Sequence, residues 1–237
     1  MIRAFGVVVP AHNEESLLAR SLHGLTTAAS QGGVPPVRIV VVADACSDAT
    51  VDVARSNGAE VLEVDLHSAG AARSAGFEHI VEKSDVAVEE LWLCTTDADS
   101  VVPNHWFLHQ AQKEALGYDA VVGTVVVDDW SEHSAFTPRR YARHYGSGMD
   151  GHPHVHGANL ALSGSAYMTI GGFPPLALAE DHALVAALTK FHLRICRSGN
   201  APVVTSGRRD ARAPDGFGAL LEAMDSPMWN HELRKHS

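Results

Sequence analysis

Two carboxylates separated by a single residue, Asp97 and Asp99, end the apolar run Leu91-Trp92-Leu93-Cys94. Acidic oxygens so placed could hold a hard cation, Mg²⁺ or Mn²⁺, and bridge through it to phosphate oxygens. An Asx-rich turn closing a strand has the same composition, so the pair alone leaves both readings open. Its weight comes from other acids in matching places. Asp44 follows the run Val37 to Val42 in the same way, whereas Glu14 and Glu15, after the run Phe5 to Val9 with its Pro10, fall in a first helical turn where acids suit the dipole. Glu180 and Asp181 open a helix-like stretch, where acids also suit the helix dipole with no further role. Arg73 stands in Gly70-Ala71-Ala72-Arg73-Ser74-Ala75-Gly76, a less bland setting for an arginine than a solvated helix face.

The elements that must position these residues follow from periodicity and caps. Asn13 reads as the N-cap of a helix whose face carries Leu17, Leu18, Leu22 and Leu25. After the strand Val37 to Val42, Ser47 or Asp48 caps a helix through Val51 and Ala54 that stops at Asn57-Gly58. A strand Glu60 to Val64, a helix from Gly70 to about Val81 and the Asp97 strand come next. Strands alternating with helices predict a parallel, doubly wound sheet, with Asp44, Asp97 and Asp99 at the carboxyl ends along one edge.

The second half predicts a helix Pro103 to Leu116, a strand Ala120 to Val127 and an aromatic, His-rich stretch Trp130 to His154 without a clear period. A strand Gly157 to Ser163, a turn at Gly171 to Pro175 and a helix Glu180 to Phe191 follow, the last packing Leu184, Ala187, Leu188 and Phe191 inward. A strand after Arg194 and a helix near Phe217 to Met224 complete the chain. No linker separates the halves, so residues 1–237 read as one domain.

The net charge of −10 argues against a general nucleic-acid or anionic-membrane surface. An anionic substrate would need a local site of cations or metal. Cys46, Cys94 and Cys196 are widely spaced, form no CxxC metal site and each read as a small buried hydrophobe in a reducing cytosol. No run approaches the roughly 18 apolar residues of a membrane span. Met1 to Pro10 reads as a strand rather than a signal sequence, so a soluble, cytoplasmic protein is expected.

Several motifs then occur in one order: Pro10-Ala11-His12-Asn13-Glu14-Glu15, Asp44-Ala45-Cys46-Ser47-Asp48-Ala49-Thr50, the Gly70 to Gly76 run and Asp97-Ala98-Asp99. Gly157-Ala158-Asn159, Ile170-Gly171-Gly172-Phe173 and Glu180-Asp181 continue the series. The ordered set, over roughly residues 5 to 190, resembles the family 2 glycosyltransferases of the GT-A fold. The resemblance implies an α/β fold with a Rossmann-like, mostly parallel sheet flanked by helices and a smaller acceptor-side mixed sheet. Residues 1–100 would form the nucleotide-sugar donor half and 101–237 the acceptor half.

It also implies metal-dependent, inverting transfer of a sugar from a nucleotide-diphosphate sugar, UDP-sugar favoured, to a hydroxyl acceptor. Pro10, Ala11 and Glu14 would line the nucleotide pocket, with Ala98 beside the donor. Asp44 would accept a hydrogen bond from the base, commonly uracil, and Arg73 would sit near the phosphates. Asp99 would ligate Mn²⁺ or Mg²⁺, and Asp97 would contact ribose or metal. Asp181, with Glu180 as fallback, would be the catalytic base. No nucleic-acid partner is implied, and a homodimer is allowed.

Three departures narrow the expectation. Ala43 replaces the first of two acids common in the second motif, and Ser163-Gly164-Ser165 stands where a basic pair is common. The Gln-x-x-Arg-Trp signature of processive members is absent, which favours transfer of a single sugar. A non-catalytic nucleotide-sugar binding module is the alternative. A sugar-phosphate nucleotidyltransferase is disfavoured because Pro10 to Glu14 replaces a Gly-rich basic phosphate loop. His152, His154 and His156 would share a face on an extended strand and could bind a transition metal. Gly151 and Pro153 favour an irregular, mobile acceptor-side loop instead. His231 and His236 are late candidates for a metal, and Arg208-Arg209 for the diphosphate, against a solvated basic pair. Trp130, Tyr141, Tyr145 and Trp229 could stack on a sugar, with core packing as the default.

Overall fold

The computed structural model describes residues 1–146, 150–173, 179–209, 216–226 and 229. His231, His236 and the Pro174-Pro175 end of the predicted turn lie outside the described residues. Seven strands form one sheet: β1 (Ala4–Ala11), β2 (Val37–Asp44), β3 (Glu60–Val64), β4 (Leu91–Thr95), β5 (Ala120–Val127), β6 (Leu160–Ser163) and β7 (Ile195–Thr205). Their spatial order is β3-β2-β1-β4-β6-β5-β7. The first four are parallel, β6 runs antiparallel to both β4 and β5, and β7 is parallel to β5. The mixed part, β6-β5-β7, is therefore continuous with the parallel part rather than a smaller sheet of its own.

Alternation along the strands builds two cores. Val7, Val9, Trp92 and Cys94 face one layer of helices, α1 (Leu18–Ala29), α2 (Thr50–Ser56) and α4 (Trp106–Ala115). Val8, Leu91 and Leu93 face the other, α3 (Ala69–Glu82), α6 (Gly164–Ile170) and α7 (Glu180–Lys190). Both faces are covered, which is why these strands read as continuous apolar runs. Helices α5 (Thr137–Tyr145) and α8 (Phe217–Asp225) pack together beyond β5. Among the described residues, no helix is long and apolar enough to cross a membrane.

Several boundaries differ from the sequence reading, each for a local reason. Helix α1 begins at Leu18 rather than beside Asn13. Asn13 adopts φ 52° and accepts a hydrogen bond from the Ser47 amide, so its side chain ties two loops together instead of capping a helix. Helix α4 starts at Trp106, after Pro103. Helix α5 lies inside the stretch that showed no period, because its buried anchors are only Thr137, Tyr141 and Tyr145, with arginines between them. Helix α6 occupies the Ser163-Gly164-Ser165 departure, with the Ser163 hydroxyl capping the Ala166 amide. Gly157–Asn159 forms a 3₁₀ turn before β6. Phe191 is 49% exposed, and Val185 takes its expected place in the α7 core.

Asp225 fastens α8 to the loop before α5. It accepts hydrogen bonds from the Ser134 amide (3.0 Å), the Thr137 hydroxyl and His133 Nδ1 (3.1 Å). Burial by itself would raise its pKa, but these bonds outweigh burial and hold it at about 2. A depressed carboxylate pKa stabilises the fold above the unfolded value of about 4, and that stability is lost as pH falls towards 2. Asp225→Asn is expected to destabilise by about 1–3 kcal/mol at pH 7. In urea titrations its deficit should narrow between pH 4 and 2; a constant deficit would show that the charge is irrelevant.

Candidate active site

The site forms where the loops after β1, β2, β3 and β4 and the start of α7 converge. Non-glycine residues with positive φ gather there: Asn13, Ala45, His67 and Ala179. Such backbone costs on the order of 1–3 kcal/mol per residue and persists where surrounding bonds enforce it. The bonds are present. Asp48 Oδ2 accepts from the Glu15 amide, and Glu15 in return accepts from the Ala49 amide. The Glu14 amide donates to Thr50 Oγ1, and His12 Nδ1 lies 2.7 Å from the Asp44 carbonyl. Asp44, buried at the end of β2, accepts from the amides of Leu66 (2.6 Å), His67 (2.9 Å) and Ser68 (2.8 Å). It thereby fixes the chain leading into α3. Ser68 caps that helix, which carries Arg73 to the carboxyl edge of the sheet.

Arg73 is the hub. Its buried guanidinium donates to Glu180 and Asp97, and its Nε donates to Thr95 Oγ1 at 3.2 Å. Burial would lower its pKa, but the charges of Asp97, Glu180 and Asp181 together raise it. Two glycines make room for this pair. A Cβ on Gly157 would lie 2.5 Å from Arg73 Nη2, and one on Gly70 would lie 2.7 Å from Glu180 Cγ. The Gly157 amide donates to Asp181 Oδ2 at 3.0 Å, placing the second acid beside the hub. The adjacent acids are thus distinct. Glu180 is buried and ion-paired, whereas Asp181 is partly exposed and held through a main-chain amide.

Asp99 lies on the other side of Asp97. Its Oδ1 accepts from the Ser100 hydroxyl at 3.1 Å, and its Oδ2 is 3.2 Å from Arg208 Nη2. Burial first, then the charges of Asp97 and Glu14, raise its pKa to about 6 against the opposing effect of Arg208. Glu14, also buried, receives both prongs of Arg208 at 2.7 and 2.6 Å. Pro10 is half-buried, and Ala11 and Ala98 are buried at the same edge.

Asp97 and Asp99 provide only hard oxygen donors, which suits Mg²⁺ or Mn²⁺ and not a thiophilic metal. Among the described residues, no group of three or more His, Cys, Asp or Glu is arranged to hold an ion. Two carboxylates completed by substrate phosphates and water are the usual setting for such an ion, so the residues fit.

Residues 152–156 form no strand, in keeping with the irregular loop that Gly151 and Pro153 favour, and the three histidine rings stack there as a ladder. His152 and His154 lie 5.8 Å apart, and His154 and His156 6.2 Å apart, each pair inclined by 17°. Rings stacked face to face do not converge their nitrogens on an ion. His154 also stacks on Tyr145 at 3.9 Å, and its Nε2 lies 2.6 Å from the Tyr145 carbonyl. Burial and the neighbouring histidines lower the pKa of His156 to about 3. Tyr141 and Tyr145 are buried, stack at 4.9 Å and bond the Val125 main chain, which is the core-packing role. Trp130 packs on Tyr141 at 5.3 Å and Trp229 on His144 at 5.6 Å. Cys94 and Cys196 are buried and Cys46 is half-buried, all as free thiols.

The contacts of Thr95, the Gly157 amide and the His133–Asp225 pair become visible only in the fold. Gly157 carried a signal, since a glycine beside a motif asparagine often marks a close approach. The motif asparagine itself, Asn159, is a buried tie. Its Nδ2 donates to the carbonyls of Thr124 and Ala201, and its Oδ1 accepts from Trp106 Nε1.

A mostly parallel sheet with three acidic loops at one edge and an antiparallel β6 is the architecture of GT-A glycosyltransferases. The chain belongs to glycosyl transferase family 2, whose sequence model matches residues 6–170. No curated protein matches the sequence. Among solved structures it is similar to S. aureus TarS 1-349 in complex with UDP-GlcNAc, with TM-score 0.64 and 15% identity over 90% of this chain and 61% of that one. It thus spans about three-fifths of that structure's length. Glucosyl-3-phosphoglycerate synthase from Mycobacterium tuberculosis, in complex with Mn²⁺, UDP and glucosyl-3-phosphoglycerate, gives TM-score 0.59 and 17% identity over 94% of this chain and 77% of that one. Mannosyltransferase PcManGT from Pyrobaculum calidifontis, in complex with GDP-Man and Mn²⁺, gives 0.57 and 18% over 83% and 56%. Identities this low speak for a common fold.

Proposed function

We propose that this chain is a metal-dependent, inverting glycosyltransferase domain that moves a single sugar from a nucleotide-diphosphate sugar to a hydroxyl acceptor. The observation that carries the reading is the Arg73 hub, which joins Asp97 of the donor side to Glu180 and neighbouring Asp181 of the acceptor side. Residues 1–100 act as the donor half and 101–237 as the acceptor half. Pro10, Ala11, Glu14, Asp44 and Ala98 line the nucleotide pocket, and Asp44 adds base recognition to the loop-holding bonds it already makes. A UDP-sugar is favoured, because two of the similar structures named above contain UDP or a UDP-sugar. Free cysteines support a reducing, cytoplasmic place of work.

Asp99 and Asp97 would hold Mn²⁺ or Mg²⁺, which when bound supplies Lewis-acid stabilisation to the leaving diphosphate. Asp181 takes the proton of the acceptor hydroxyl as that oxygen attacks the anomeric carbon and the bond to the diphosphate breaks. The attack comes from the face opposite the leaving group, which inverts the anomeric centre. Glu180 orients Arg73, and Arg73 holds Asp97 in place.

The test is calorimetric titration of a nucleotide-sugar panel with and without Mn²⁺, on wild type and Asp99→Ala. One donor should bind in a metal-dependent way, and Asp99→Ala should weaken it by roughly 100-fold. Metal-independent binding unaffected by Asp99→Ala would remove the metal from the reading.

A further inference from the structure

Arg208 comes from far along the chain. Residues 206–209 leave β7 and fold back across the carboxyl edge of the sheet, and several contacts pin them there. A Cβ on Gly207 would lie 2.2 Å from the Asp129 carbonyl oxygen, and the Gly207 carbonyl is in close contact with His133 Nε2. The Arg209 amide donates to Glu132 at 3.0 Å, and its guanidinium lies 3.2 Å from Asp225. So anchored, the side chain of Arg208 reaches Glu14 with two parallel bonds and Asp99 with one contact. It is 22% exposed, against 6% for Glu14 and 14% for Asp99.

Arg208 thus stands between two acids of the site, with Nη2 2.6 Å from Glu14 Oε1 and 3.2 Å from Asp99 Oδ2. A guanidinium fork matches carboxylate and phosphate equally well. We propose that Arg208 is an exchange cation. In the donor-free protein it occupies Glu14 and Asp99. When the donor arrives, the same fork moves to the diphosphate and releases the Asp99 oxygen to the divalent ion. No bond is made or broken; one set of charge-assisted hydrogen bonds replaces another. The consequence is mutual dependence. The diphosphate raises metal affinity by drawing Arg208 away, and the metal raises diphosphate affinity by the same factor. This inference rests on the donor reading above and adds why the ion and the nucleotide bind together.

The experiment is electron paramagnetic resonance of free Mn²⁺, titrated into wild type, Arg208→Gln and Arg208→Lys, first alone and then with UDP. Arg208→Gln is expected to bind Mn²⁺ alone about tenfold tighter than wild type, because a competing charge has left the ligand. The enhancement of Mn²⁺ binding by UDP should shrink by a similar factor, and Arg208→Lys should stay close to wild type for Mn²⁺ alone. Equal or weaker Mn²⁺ binding by Arg208→Gln overturns the proposal. Wild type provides a second test that needs no variant: independent binding of Mn²⁺ and UDP also overturns it. If UDP binds normally and Arg208→Gln gains nothing, the exchange fails while the donor reading stands. If no nucleotide binds and Arg208→Gln still gains Mn²⁺, the counter-cation role stands and the donor reading fails.

Discussion

Asp181→Asn is expected to bind the donor as wild type does, within roughly twofold, and to lose about 10²–10⁴ of its turnover. The substitution is chosen for what it preserves. Asparagine has the size of aspartate, and its Oδ1 can still accept the Gly157 amide that now holds Asp181 at 3.0 Å. It lacks only the basicity needed to take a proton from an acceptor hydroxyl or from water. Release of UDP from the donor identified in the panel provides the readout, whether sugar passes to an acceptor or slowly to water. The sign is unambiguous, since a residue that merely caps α7 would change stability and leave turnover alone. Retention of more than a tenth of wild-type turnover would move the base elsewhere. Glu180 is a poor substitute. Its carboxylate is buried against Arg73, so proton uptake there would leave the guanidinium without its closest counter-charge.

The first half of the site was legible because its residues are local to strand ends. Asp44, Asp97 and Asp99 each follow an apolar run that pairs on both sides in the sheet, and the turn after such a run needs polar residues for backbone reasons alone. The caps were partly legible as well: Gly58 turns the chain with φ 78° after α2, whereas the N-cap of that helix is Ala49, with no side-chain cap bond, and Asp48 accepts from the Thr50 amide from one position earlier. Asn13 shows the limit. Its residue type announces a cap, but its partner is Ser47, 34 positions away, and local propensity cannot see that competitor.

In the second half β5, α7 and the short α8 were legible near their observed bounds, whereas α5 and α6 were not. Helices α5 and α6 have nine and seven residues, so each shows barely two turns of pattern. The polar links that complete the site are longer still in sequence: Arg208 reaches Glu14 over 194 positions and Arg73 reaches Glu180 over 107. Neither endpoint carries a mark of its partner. Arg73 looked unusual because of its small neighbours, and the structure gives the reason: Gly70 and Gly157 are small so that Glu180 and the guanidinium can approach.

That crowding makes Arg73→Met the most damaging single change expected for the fold. Methionine fills a similar volume but leaves Glu180 buried and Asp97 without its cation. Breaking a buried pair from one side costs about 3–5 kcal/mol, because the remaining charge is desolvated and unpaired. Urea denaturation at pH 7 should show this loss, and donor binding should weaken with it as Asp97 loses its orientation. Adding Glu180→Gln to Arg73→Met should recover part of the stability, because a neutral amide replaces the stranded carboxylate. Recovery of stability without recovery of turnover would separate the two duties of the pair, since the second depends on a guanidinium that only arginine supplies. A loss under 1 kcal/mol in Arg73→Met, or a double variant no more stable than the single, would mean that Glu180 finds water or another donor. The hub would then not be what fixes α7, and Asp181 with it, against the Asp97 edge.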